Sequence, residues 1–521
     1  MNKVLKGLVA VAATAAMAIA GVAGASSATA SESGTATTST ITIKNTNAGD
    51  TFAAYRLLNA TDGGNNKFAY TLNEKYTTSL QTVTGMTTQE DIVSYISALD
   101  ETGMRTFADS VYAQIKDKTA DLAATAAGNT ASMSGVYGYY LVAQTNLNNN
   151  KDSYSLVMVD SAGKNNVEIT TKKGVPTLTK KVKDRNDTAG SESNWQDSAD
   201  YDLNDKVPFQ LTGTMPDKIA NYTTYKYVFH DSLSKGLTLN ADSIKVYAQQ
   251  GDNEAGRVQI DDAGYSVAQT DDAPATERND GTNFTVSFAN VKAATANGAD
   301  ITVNADTKII VEYSATLNAN SKIGAEGNPN EAYLEFSNNP YAEGTGKTTN
   351  DKVKVFTFEI DVNKTFTGAD APTDDPAQFT LYKKVNNSYV PVGDPVVVKQ
   401  VNGNWVAPFQ RVDDGDYKLV ESYVPQGFNK AADVEFTVSA THDETADDPT
   451  LTALTIAING DEAKPGDSGK GTVAVDVVNV AGSKLPSTGG MGTTILYAAG
   501  AAIVLVAAFG IVFAVRRRNA R

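Results

Sequence analysis

Twice in this chain a lysine stands where strand alternation reserves a place for the core. In Leu178-Thr179-Lys180-Lys181-Val182 the two-residue period puts Lys180 on the face of Leu178 and Val182; in Val362-Asn363-Lys364-Thr365-Phe366 it puts Lys364 with Val362 and Phe366. An ammonium carried into an apolar interior is costly, and it sheds its proton or finds a partner. A neutral amine is a nucleophile. Whatever folds around these strands must therefore provide for a buried amine, once in each of two regions.

Each region also ends on a strand that turns a carboxamide inward. Ala332, Leu334, Phe336 and Asn338 alternate on one face, and so do Val475, Val477 and Asn479. Between lysine and asparagine lies an acid on an apolar face: Asp231, in phase with Tyr227 and Phe229, and Glu421 in Tyr417-Lys418-Leu419-Val420-Glu421. A carboxyl kept protonated in such a place polarises an amide and shuttles a proton. The expectation is two Lys-Asn isopeptide bonds, Lys180 to Asn338 and Lys364 to Asn479, with Asp231 and Glu421 as the autocatalytic acids. Taken singly, each residue has a plainer reading: a snorkelling lysine, a capping asparagine, an ion pair. The same order recurring in two sandwiches favours the bond.

The two ends carry transport signals. Residues 1–30 run from Lys3 and Lys6 through an apolar stretch to Ala28-Thr29-Ala30, the layout of a cleaved signal peptide. At the other end, Leu485-Pro486-Ser487-Thr488-Gly489 precedes an apolar segment at about 495–515, long enough to span a bilayer, and then Arg516-Arg517-Arg518. This resembles the cell-wall sorting signal of Gram-positive surface proteins. The resemblance implies that a sortase cuts between Thr488 and Gly489 and passes the Thr488 acyl group to an amine, after the precursor has been held transiently in the membrane. Losing Lys3, Lys6 and the terminal arginines takes the formal charge from −16 to −22, which repels nucleic acid and anionic membranes. With no cysteine and only His230 and His442, thiol chemistry is excluded and little remains for a triad or a metal site. No cofactor and no metal are expected; Asp413-Asp414-Gly415-Asp416 reads as a hairpin turn, lacking the spaced ligands of a calcium loop.

What remains is too long for one core. Breaks at Lys173-Gly174-Val175-Pro176, at the Gly- and Asn-rich stretch 344–352 and at Ala481-Gly482-Ser483 divide the chain into 31–174, 175–355, 356–482 and a sorting region, 483–521. In the first part Thr88-Gln89-Glu90-Asp91 opens a helix with Ile92, Ile96 and Leu99 on one face. Met104, Phe107, Val111 and Ile115 mark a second helix, set among strands. The other parts alternate in short runs, as antiparallel sandwiches do. The expected fold class is mainly β: serial immunoglobulin-like sandwiches, with helices added to the N-terminal domain.

Lys180-Lys181-Val182, residues 229–237 and residues 334–340 resemble the isopeptide-forming (Cna-A-like) domain of fimbrial major subunits. Val362 to Thr365, Tyr417 to Glu421 and Val424-Pro425-Gln426-Gly427-Phe428 resemble their Cna-B-type domain. That resemblance spans essentially the whole chain and implies a major, shaft-forming pilin: no enzyme beyond its own cross-linking, displayed at the cell wall. Implied partners are further copies of itself joined head to tail, a pilus sortase, a housekeeping sortase, peptidoglycan, tip or base pilins and host ligands. The intersubunit amine in this family closes a motif of the form Val-x-Val-Tyr-Pro-Lys. Val167-Glu168-Ile169-Thr170-Thr171-Lys172 occupies that place with Thr170 and Thr171 replacing the Tyr-Pro pair, which makes Lys172 the expected acceptor and Lys173 its rival. A wall-anchored adhesin that never polymerises is the alternative from another class, and an anchored hydrolase with separated carboxylates is a third.

Overall fold

A computed structural model describes residues 37–65, 67–147, 153–171, 174–269, 280–483 and 491–518. The signal peptide, Lys172, Lys173 and Leu485 to Gly489 lie outside them.

Among its described residues the N-terminal unit folds two sheets and three α-helices around two cores. Thr38–Lys44 pairs antiparallel with Thr130–Val136 and parallel with Asn166–Thr170, burying Ile41 and Ile43. The second sheet is built on Thr51–Asp62 and Gly138–Asn146. Helix Gln89–Ser97 starts where expected, because the Thr88 hydroxyl accepts the Asp91 N–H and satisfies a donor that the helix cannot. Asp100 does the same for Glu101–Ile115, which buries Phe107, Val111 and Ile115. The third helix, Thr77–Thr84, carries no such signal: the side chain of its cap residue Tyr76 makes no capping bond, its hydroxyl bonding Asp121 instead, and threonines dominate it. Packing of Leu80 against the core holds it, a tertiary contribution that local propensity does not report.

The middle unit is an antiparallel sandwich. One sheet runs Val258–Gln259, Leu237–Gln250, Thr307–Leu317, Lys206–Thr214, Leu178–Val182; the other is centred on Asn328–Ser337 and Tyr227–Leu233. Their inner faces meet in a core that includes Phe209, Phe229, Phe284 and Phe336. The C-terminal unit repeats the plan. Phe358–Thr367 and Thr472–Val480 lie side by side and parallel in a four-stranded sheet, packed on a larger one that contains Gly415–Tyr423. Beyond it, Met491–Arg518 is a helix with its described apolar side chains, Leu496, Ile503 and Phe509 among them, exposed.

Candidate cross-linking sites

Both inward lysines are where alternation puts them: Lys180 is 0 % exposed and Lys364 2 %. In the middle unit the two sheets contribute two groups each. Lys180 faces Leu211, which faces Val311, so Tyr313 follows two residues along on the same inner face. From the opposite sheet come Asp231, paired with Ala332, and Asn330, two residues before Ala332 on the same face. They converge. Lys180 Nζ donates to Asp231 Oδ2 at 2.5 Å and lies 3.0 Å from the Tyr313 hydroxyl. That hydroxyl donates to Asp231 Oδ2 at 2.7 Å and accepts from Asn330 Nδ2 at 2.7 Å.

Burial lowers the pKa of Lys180 and raises that of Asp231, the Coulomb attraction between them only partly opposing it. Both shifts favour the neutral pair, an amine beside a carboxylic acid. Two further acceptors, Asp231 Oδ1 and Asn330 Oδ1, have no hydrogen-bond donor. A proton on the carboxyl accounts for the first, turning Oδ1 from an unpaired acceptor into a donor.

The expected partner Asn338 is not here, and this corrects the sequence reading. It does share the inward phase and is buried, but it lies six residues beyond Ala332, about 20 Å along the strand direction. Its amide donates to the Thr345 carbonyl in the turn that leads to Thr345–Lys347. Asn330 escaped notice because Asn328-Pro329-Asn330 reads as a strand break. The strand in fact begins at Asn328, and Pro329 is accommodated with its carbonyl accepting from the Ser234 N–H.

In the C-terminal unit Glu421 and Asn479 bond directly, and Lys364 is buried on the neighbouring strand. Lys364 pairs with Val477, so Asn479 sits one strand over and two residues along on the same face, roughly 8 Å between backbones. Asn479 Nδ2 donates to Glu421 Oε2 at 3.0 Å, which also accepts from the Ala431 N–H at 2.8 Å. Glu421 Oε1 and Asn479 Oδ1 lack donors, as in the first site. Burial lowers Lys364 to about 8, so a usable fraction is neutral near physiological pH. Its amine donates to the Thr365 carbonyl at 3.1 Å and lies 4.5 Å from the centre of the Phe366 ring.

A different lysine, Lys383, was not singled out by its sequence. It is 2 % exposed and donates to Asp202 at 2.7 Å, Asp413 at 2.8 Å and Asp187 at 3.2 Å, bringing the C-terminal unit onto the middle one. The Asp413-Asp414 turn therefore crosses between the two sheets of its unit, not around a hairpin, and points Asp413 inward. Carboxylates gather here closely enough to suit a cation, including Asp184 and Asp200 with His442, and Asp187 and Asp202 with Asp413. The Lys383 ammonium already supplies positive charge to the latter three.

Val167 and Ile169 pack on the first core, and Thr171 bonds the Asn45 carbonyl at 2.6 Å. The chain thus reaches Lys172 along an anchored strand.

Residues 477–520 match the LPXTG cell wall anchor motif family. The trypsin-resistant surface T6 protein of Streptococcus pyogenes is 23 % identical over 412 residues, covering 67 % of this chain and 70 % of that one. Among solved structures, the T6 backbone pilin of serotype M6 Streptococcus pyogenes superposes with a TM-score of 0.51 at 18 % identity, covering 86 % of this chain and 99 % of the other. The major pilin SpaA of Corynebacterium diphtheriae gives 0.43 at 14 % identity over 85 % and 100 %.

Proposed function

We propose, from the premise that this chain is a secreted, LPXTG-anchored member of the pilin family homologous to Gram-positive major pilins, that it is the repeating shaft subunit of a covalent surface fibre. A pilus sortase would open the Thr488–Gly489 bond and transfer the Thr488 acyl group to Lys172 of the next copy, with Lys173 as the rival acceptor. A housekeeping sortase would finally attach the fibre to peptidoglycan, and the apolar helix Met491–Arg518 would hold the precursor at the membrane until then. Head-to-tail joining of one donor and one acceptor per copy gives an open polymer.

Within each copy, Lys180 would attack Asn330 and Lys364 would attack Asn479. In each reaction the amine nitrogen bonds to the carboxamide carbon and the amide nitrogen leaves as ammonia, with Asp231 or Glu421 handling the proton. The observation that carries this reading is the convergence, in two sandwiches divided near 174 and 355, of a buried amine, a buried carboxyl and an asparagine whose carbonyl has no donor.

The test of assembly is an immunoblot of wall extracts. A ladder of high-mass species is expected from the wild type. It should vanish in Lys172→Arg, whose guanidinium stays protonated, while secretion and anchoring of single subunits persist. A ladder that survives Lys172→Arg and disappears with Lys173→Arg moves the acceptor by one residue. No ladder from the wild type refutes the shaft role.

A further inference from the structure

The two sites solve the same problem with different reach. Glutamate at 421 touches its asparagine nitrogen directly, at 3.0 Å. Aspartate at 231 is one methylene shorter, and the tyrosine hydroxyl stands between it and the Asn330 nitrogen. We propose that Tyr313 is a catalytic residue of the Lys180–Asn330 reaction, relaying the proton from Asp231 to the departing amide nitrogen. The proposal rests on the cross-linking read above for the middle unit.

The distances trace an unbroken path from nucleophile to leaving group. It runs from Lys180 Nζ to Asp231 Oδ2 at 2.5 Å, from there to the Tyr313 hydroxyl at 2.7 Å, and on to Asn330 Nδ2 at 2.7 Å. Attack of the neutral amine on the Asn330 carbonyl carbon forms the new C–N bond. One Nζ proton must then leave, and Nδ2 must gain one to depart as ammonia. Asp231 Oδ2 accepts the first as the hydroxyl hands its own proton to Nδ2 and is reprotonated from the carboxyl. Acid and phenol end as they began, and the net change is one ammonia lost.

The hydroxyl is equipped for this role. Its ring is stacked on Phe209, with centroids 5.3 Å apart, and edge-on to Phe284 at 5.1 Å, which fixes its direction. Burial raises its pKa well above the ordinary tyrosine value, so it keeps a proton to give. It also lies 3.0 Å from the attacking nitrogen, close enough to hold the amine in place.

The experiment follows the Lys180–Asn330 linked peptide by mass spectrometry at intervals after synthesis of the full chain. The Lys364–Asn479 peptide in the same digest serves as the internal reference. Tyr313→Phe should slow the first bond on the order of 10²-fold, the usual contribution of a positioned proton donor, and leave the second unchanged. Adding Asp231→Glu to Tyr313→Phe should restore the bond, because the longer acid then reaches Asn330 directly as Glu421 reaches Asn479. Bond formation at the wild-type rate in Tyr313→Phe overturns the relay. So does a slow Tyr313→Phe that Asp231→Glu fails to rescue, since the hydroxyl would then only orient the amine and the amide through its hydrogen bonds. A wild-type protein without the Lys180–Asn330 peptide refutes the cross-link itself, a separate failure.

Discussion

A lysine and a carboxylic acid shut away from water favour their uncharged forms, because each charge alone would cost several kcal/mol to bury. Lys180 and Asp231 shift in the directions that make them nucleophile and acid. If they react, Asp231→Ala should yield folded protein heavier by one ammonia than its fully cross-linked form, and Glu421→Ala likewise. Intact mass at the cross-linked value in both variants would show that the acids only pair. The choice of asparagine is tested in the same way. Asn330→Ala has no carboxamide to react there and should fall short of its own sequence mass by one ammonia only, from Asn479, whereas Asn338→Ala should fall short by two, since the Asn338 amide is spent on the Thr345 carbonyl.

At the scale of elements, the two bonds would do different mechanical jobs. Lys180 and Asn330 belong to opposite sheets, so their bond would staple a sandwich through its core; Lys364 and Asn479 belong to neighbouring parallel strands of one sheet. Each would close a loop of over a hundred residues, which in the chain-entropy account is worth about 5 kcal/mol. That is comparable with the whole stability of an ordinary domain, about 5–15 kcal/mol. Asn330→Ala should therefore lower the melting temperature of the middle unit by about 10–20 °C. An unchanged calorimetric profile would contradict a cross-link there. Among its described residues the N-terminal unit shows neither device, and two of its helices start on side-chain caps. Asp100→Ala removes the acceptor of the Gly103 N–H and should cost about 1 kcal/mol in chemical denaturation.

At the scale of the whole molecule, units are tied by side chains as well as by the chain itself. The Tyr341 hydroxyl bonds Asp109, and its ring meets Tyr112 edge-on at 4.8 Å, fastening a loop of the middle unit to helix Glu101–Ile115. On the other side, Lys383 enters a cage of carboxylates. Burial opposes its charge, yet Asp413 and Asp202 contribute to an opposite effect that prevails, and its pKa stands above the ordinary lysine value. Gly415, at φ 131°, leaves room beside it: a Cβ there would lie 3.4 Å from the Lys383 side chain and 3.0 Å from Thr188 Oγ1. Lys383→Met should loosen the joint and speed proteolysis between the two units, because buried carboxylates would lose their counter-ion.

The same joint makes stability depend on pH. Burial, and then the charge of Asp200, push Asp184 and Asp414 up to about 7. Unfolded aspartate releases its proton near pH 4, so between about pH 4 and 7 the folded joint holds more protons and stability falls as pH rises. His442 adds the same sign: burial lowers its pKa, but Asp200 outweighs this and leaves it raised. Its contribution is complete below the unfolded value and fades as pH passes the folded one. The melting temperature of the joined units should thus decrease from pH 5 to pH 8, and Asp414→Asn should flatten that slope.

Read alone, the sequence determined which residues turn inward, because alternation is a local property of a strand. Lys180, Asp231, Lys364, Glu421 and Asn479 were all legible that way as inward-facing, and all five are buried. The caps Thr88 and Asp100 mark helix starts by equally local chemistry. Asn330 lies in strand Asn328–Ser337 and Asn338 just past its end in the same alternation, so a period of two cannot separate them. Only the packing of the opposite sheet, which sets where along that strand Lys180 and Tyr313 arrive, places Asn330 rather than Asn338 beside them. Lys383 was invisible for the related reason that its partners Asp187 and Asp202 lie in another unit and approach it only when the two sandwiches meet.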